Sequence, residues 1–154
     1  MTHHRRRNNG IDPSKINETV ELSPAQRYAA FKQTQAKQRT VAAEFARSMP
    51  FELDEFQMQA NDALEAGDNV LVAAPTGAGK TVAADFAIYL AQTRNVKAFY
   101  TTPIKALSNQ KYHDLVDQYG TDKVGLLTGD TSINSEADIV VMTTEVLRNM
   151  LYEH

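Results

Sequence analysis

Val70-Leu71-Val72-Ala73-Ala74-Pro75-Thr76-Gly77-Ala78-Gly79-Lys80-Thr81 is the stretch whose reading decides the fold. An apolar run, Val70 to Ala74, enters a glycine-containing loop. Gly79-Lys80-Thr81 then opens a pattern with Val82, Ala83, Phe86, Ala87 and Leu90 on one helical face. Strand, loop and helix in that order make a cradle for a triphosphate. The backbone N–H groups of Gly77, Ala78 and Gly79 would face phosphate oxygens, and the helix dipole favours negative charge there. Pro75 and Thr76 complete the loop. Lys80 would reach the β/γ-phosphates, and the Thr81 hydroxyl would ligate Mg²⁺, so these two are the expected catalytic pair. Ala74 stands where the first glycine of such loops is usually written.

The length of 154 residues suits one domain, and 42% hydrophobic with 23% charged residues is ordinary for a globular protein. With no cysteine, disulfides, thiolate metal sites and cysteine nucleophiles are excluded, which fits the cytoplasm. No apolar run approaches the roughly 20 residues of a membrane span, and Met1 to Gly10 lacks an apolar signal core. The four histidines show no metal-ligand spacing beyond the adjacent His3 and His4. The net charge of −3 hides an asymmetry: residues 1–50 carry +5 and residues 51–154 carry −8. A basic arm ahead of an acidic domain is either a nucleic-acid contact or simply solvated.

Residues 1–22 are expected to be disordered, since Arg5 to Gly10 has no periodicity and Asp12-Pro13 breaks a helix. Ser23-Pro24 is a helix start, and the pattern runs to about Ser48, before Pro50. Residues 23–49 therefore read as a helical arm outside the core, with the domain occupying 50–154. Asp54 and Gln57 form a capping-box-like start, and Gly67 is the stop. Short apolar runs at 70–74, 97–102, 124–127 and 138–142 alternate with helical patterns. That alternation implies an α/β fold, a parallel sheet with helices on both faces and ligands at the carboxyl ends of the strands.

Several of the loops at those ends carry a close resemblance. Ala74 to Thr81 resembles motif I of superfamily 2 helicases. Tyr100-Thr101-Thr102-Pro103-Ile104-Lys105-Ala106-Leu107-Ser108-Asn109-Gln110-Lys111-Tyr112 resembles motif Ia of the Ski2-like DExH-box RNA helicases, the Ski2 and Mtr4 type. Val124 to Asp130 and Val141 to Tyr152 continue that branch's order, Phe51 to Gln57 resembles its segment ahead of motif I, and the match is closest to bacterial members. The resemblance covers about residues 50–153 and implies a P-loop NTPase of RecA-like fold that uses ATP and Mg²⁺.

The resemblance also implies roles. Gln57 would hydrogen-bond the adenine edge, and Phe51 would pack on the base or belong to the core. Thr102, Pro103, Lys105 and Ala106 would lie along a nucleic-acid strand, with Gly129 and Asp130 turning beside it. Thr144 would contact a phosphate. RNA is favoured over DNA through the family branch alone, and the oligomeric state is left open. The family's Asp-Glu-x-His box falls on the strand after the Thr143-Thr144-Glu145 helix, beyond His154, as does a second RecA-like lobe. In such lobes two later strands separate the motif I strand from the motif Ia strand. Residues 1–154 alone are thus expected to form a gapped or collapsed sheet with exposed strand edges.

Overall fold

A computed structural model describes residues 22–75, 77 and 79–152. The tail expected to be disordered lies outside the described residues, Leu22 excepted. The chain divides into two units, Met1–Gln38 and Arg39–His154.

The described part of the first unit is helix α1, Pro24–Gln38. The Ser23 hydroxyl accepts from the Gln26 N–H at 3.2 Å, and Gln26 Oε1 accepts from the Ser23 N–H at 2.8 Å. This reciprocal box fixes the start of the helix.

The second unit begins with α2, Val41–Ser48, which differs from the single long arm expected from the sequence. The helical run breaks at Arg39-Thr40, and Thr40 caps α2 through the Ala43 N–H. Glu65 then accepts from the Val41 and Ala42 N–H groups at 3.0 and 2.8 Å. Phe45 is fully buried, its ring edge-on to Phe86 at 5.3 Å. Losing such a ring would cost about 3–5 kcal/mol. The folded body therefore starts at Arg39 rather than Pro50, because an apolar patch too short to read as core closes against helices that follow it.

Helix α3, Glu55–Ala66, ends on Gly67, and α4, Thr81–Thr93, follows the glycine loop. The remaining elements are β1 (Ala98–Thr102), α5 (Lys105–Tyr119), β2 (Val124–Leu127), β3 (Ser132–Ile133), β4 (Ile139–Thr143) and α6 (Thr144–Tyr152). The sheet order is β1-β4-β2-β3. β4 runs parallel to both neighbours, with Ala98 and Val124 both opposite Ile139, while the short β3 pairs antiparallel with β2. β4 is buried on both faces. Ile139 and Val141 pack with Ile88 and Leu115, and Val140 and Met142 pack with Val146 and Leu147. A second core joins Ala42, Phe45, Val82, Phe86 and Leu90.

The apolar run at 70–74 does not form the expected strand; it belongs to no ladder. Leu71 is 93% exposed. A strand exists only when a neighbour takes its N–H and C=O groups, and no described strand lies beside this run. On its other side β1 is the sheet edge. Between them lie two grooves, of about 310 and 480 Å³, both floored by Ala84 and Ala87 of α4.

Two outcomes follow for the chain of residues 1–154. With β1 open along one edge and Leu71 in solvent, it should unfold at low temperature or associate through strand edges. A cooperative melt of soluble monomer far above room temperature would overturn this. Asn61 of α3 is 1% exposed, and among the described residues neither its Oδ1 nor its Nδ2 has a partner. Asn61→Leu should stabilise the body by about 1–3 kcal/mol, read as a raised Tm, because an unsatisfied buried amide is removed; a lowered Tm would refute it.

Candidate functional site

The phosphate loop is set by two glycines and a glutamine. Gly77 and Gly79 have φ of +83° and +76°, which glycine adopts without strain. At Gly79 a Cβ would also lie 2.5 Å from Gln57 Nε2. That nitrogen donates to the Gly79 carbonyl at 3.0 Å, and Gln57 Oε1 accepts from the Asp54 N–H at 2.8 Å. Buried Gln57 is thus a brace between the start of α3 and the loop. Each end of its amide keeps one further hydrogen-bonding position.

The start of α4 has no side-chain cap and no acidic residue in its first turn. The Val82 N–H turns back to the Gly79 carbonyl at 3.2 Å, and the positive end of the helix dipole faces the loop, which fits an anion. The Lys80 ammonium folds across the loop and donates to the Ala74 carbonyl at 2.8 Å. Thr81 is exposed and lines a cleft of about 530 Å³ with Asp85, Tyr100, Thr102, Pro103 and Lys111. The residues present therefore fit the phosphates of a nucleotide, with the Thr81 hydroxyl able to serve a bound cation. Phe51, ahead of α3, and Pro75, in the loop, are both exposed, while Thr76 and Ala78 lie outside the described residues. Among the described residues no three acidic or histidine side chains gather to hold a metal.

The second half of the site is the carboxyl edge of the sheet. The loops after β1, β2 and β4 share that edge because the three strands are parallel. They are tied to one another. Thr144 Oγ1 donates to the Thr102 carbonyl at 3.1 Å. Lys105, just after β1, meets Asp130, just after β2, at 2.6 Å, and this pair spans the end of β4. The buried Thr102 hydroxyl donates to the Ile104 carbonyl at 2.9 Å and lies 2.5 Å from Ser108 Oγ. Asp130 also accepts from Thr128 Oγ1 at 3.0 Å. Pro103, Lys105, Ala106, Gly129 and Asp130 are exposed. α5 starts, like α4, without a side-chain cap or an acidic first turn.

The structure thus brings Thr102, Pro103, Lys105, Ala106, Gly129, Asp130 and Thr144 to one ridge, and Lys80 and Thr81 to a neighbouring loop. It gives the two threonine hydroxyls internal partners, while Pro103, Ile104, Ala106 and Gly129 stay exposed beside the paired Lys105 and Asp130. Sequence reasoning missed Ser108, whose buried hydroxyl supports the turn after β1, and the Asp85–Lys111 pair. Asp85, one turn beyond Thr81, meets Lys111 of α5 at 2.5 Å, and the Lys111 ammonium stands 5.2 Å from the Tyr100 ring centre. Burial pushes the Tyr119 hydroxyl pKa up, and the Asp85 charge adds to it. The i, i+4 spacing of Thr81 and Asp85 was a legible signal for Asp85.

The Lys105 ammonium, and after it the Thr128 hydroxyl, hold the Asp130 carboxyl below the usual carboxylate range. A lowered pKa in the folded state means that the pair's contribution is present above the ordinary carboxylate range. It is lost only as pH falls through the lowered value. In a carbon-detected NMR titration Asp130 should titrate low, and Lys105→Ala should move its midpoint upward. An unmoved midpoint would show that the pairing does not hold in solution.

Comparison with known proteins gives the family and the fold. Residues 54–154 match the model of the DEAD/DEAH box helicase family. The chain is 63% identical over 108 residues to "Probable helicase HelY" of Mycobacterium tuberculosis, covering 70% of this chain and 12% of that protein. It is 55% identical over 107 residues to "Antiviral helicase SKI2" of Saccharomyces cerevisiae, covering 70% and 8%. The chain thus spans about a tenth of the length of these relatives. A crystal structure of a hypothetical ATP-dependent RNA helicase from Sulfolobus tokodaii superposes with a TM-score of 0.54 at 28% identity, over 72% of this chain and 35% of that one. The mostly parallel sheet is accordingly that of a helicase RecA-like domain. By its sequence match and its fold, the chain belongs to the DEAD/DEAH box helicases.

Proposed function

We propose that residues 50–154 are the ATP- and nucleic-acid-binding part of the first RecA-like lobe of a Ski2-like ATP-dependent RNA helicase. The observation that carries this reading is the pairing of an uncapped phosphate-loop helix with a ridge of three cross-tied loops. Lys80 and the first N–H groups of α4 hold the β/γ-phosphates, and the Thr81 hydroxyl ligates Mg²⁺, which supplies charge neutralisation at the phosphates. Gln57 reads the adenine edge with the hydrogen-bonding positions left on its amide, and Phe51 packs on the base. Pro75, Thr76, Gly77, Ala78 and Gly79 wrap the phosphates. The ridge from Thr102 to Ala106, with Gly129, Asp130 and Thr144, follows a strand by its backbone. RNA is favoured because relatives carry the printed names of RNA helicases, among them DExH11 of Arabidopsis thaliana.

A second reading applies to the chain by itself: a binding module without hydrolysis. It is favoured by Asp85, the carboxylate nearest Thr81 along α4, being held by Lys111 rather than free to orient a water.

A fluorescent ATP analogue should bind the chain in the presence of Mg²⁺, and Lys80→Ala should weaken it about ten- to a hundredfold, the worth of a charged hydrogen bond. Hydrolysis should stay at background. Turnover that Lys80→Ala abolishes would overturn the binding-only reading. A longer protein containing these residues should hydrolyse ATP faster with single-stranded RNA, and the absence of any RNA or DNA stimulation would sink the helicase reading.

A further inference from the structure

The sheet edge proposed to carry a strand is poor in available positive charge. Lys105 is matched by Asp130, and residues 51–154 carry a net charge of −8. Nucleic-acid affinity comes largely from cations that displace counterions from phosphates. The chain concentrates its cations elsewhere. From Leu22 to Arg39 it has Arg27, Lys32, Lys37 and Arg39 and no acidic residue.

Helix α1 occupies most of that segment, and no residue in it is buried. Tyr28 and Phe31 are 61% and 57% exposed. At helical spacing they share one face with Gln35, with Arg27 on one flank and Lys32 on the other. The Lys32 ammonium already stands 5.2 Å from the Tyr28 ring centre. Arg27 is anchored by its Nε, which donates to the Leu22 carbonyl at 2.8 Å. The helix is capped at its start by its own residues.

We propose that α1 is a second nucleic-acid contact, binding single-stranded RNA by stacking bases on Tyr28 and Phe31 and holding phosphates with Arg27 and Lys32. Aromatic rings set between cations are the platform that single strands use, because every base has a stacking face. A membrane surface or a protein groove takes a broad, continuous apolar face instead, with anchors at i, i+3, i+4 and i+7. α1 contains no Leu, Ile, Val or Met; its two rings stand among alanine, glutamine, threonine and basic residues. The proposal deepens the helicase reading, on which it rests for the choice of ligand.

The test uses the whole chain and a short fluorescein-labelled oligouridylate, followed by anisotropy across a salt series. Tyr28→Ala/Phe31→Ala should weaken binding by about thirtyfold or more and leave the salt dependence unchanged. Arg27→Gln/Lys32→Gln should lower the slope of log affinity against log salt by about 1.4, because two cations no longer neutralise phosphates on a single strand. Alanine and glutamine keep the helix, which circular dichroism verifies. Labelled duplex RNA should be insensitive to the aromatic variant. Wild-type affinity in both variants would overturn the proposal, as would a wild-type chain that ignores the oligonucleotide but binds phosphatidylserine vesicles. The helicase reading fails separately. If Lys80→Ala leaves nucleotide binding intact while the α1 variants still bind RNA poorly, the arm stands and the nucleotide site does not.

Discussion

Helix α4 is packed into two cores at once, and the arrangement of the site depends on that. Val82, Phe86 and Leu90 face Ala42 and Phe45 on one side, while Ile88 enters the core under β2 and β4. No ladder joins the run at 70–74 to β1, so the sheet does not fix the distance between the phosphate loop and the ridge. Side-chain packing does. Apolar contact is non-directional and sets only how close two surfaces come. The Asp85–Lys111 pair adds a directional tie between α4 and α5. A loop that begins α4 and a turn that begins α5 are thereby held on one side of the body.

The ridge itself is built from small ties. The Thr144 hydroxyl binds the Thr102 carbonyl, Lys105 reaches Asp130 and Ser108 supports Thr102. The first two join loops from different strands and turn three separate ends into one surface; the third braces the turn after β1. The same bonds use up hydroxyls and a lysine that a list of site residues would offer to a ligand. What is left exposed there is Pro103, Ile104, Ala106 and Gly129, beside a lysine and an aspartate that already hold each other.

Much of this was legible before any coordinates. The helices at 55–66, 81–93 and 105–119 follow from helical patterns that alternate with the short apolar runs, the first with Gly67 as its stop, and three of those runs form the parallel strands. The loop glycines were read as turn positions, and Gly77 and Gly79 do take positive φ. The run at 70–74 has the composition of a strand and is not one, since composition states a preference and pairing needs a neighbour. α2 escapes a sequence reading for the opposite reason. Its apolar patch is short, and its burial comes from Glu65 and Phe86, which lie far along the chain.

The sequence by itself determined the local events: which segments coil, where they stop, and which residues can cradle a phosphate. These depend on side chains within a few positions of one another. It also determined the uneven charge, basic ahead of the body and acidic within it. Only the tertiary structure decided which of those residues remain available. Gln57 braces Gly79, Lys80 rests on Ala74, Lys105 is matched by Asp130, and Asp85 is matched by Lys111. The reason is physical: whether a polar group is free or satisfied depends on what folding brings within hydrogen-bond reach, and most of these partners lie a score or more residues away. The glycine loop that decides the fold is a case in point. Its chemistry is written in its own residues, but its place beside the ridge is set by the two cores around α4.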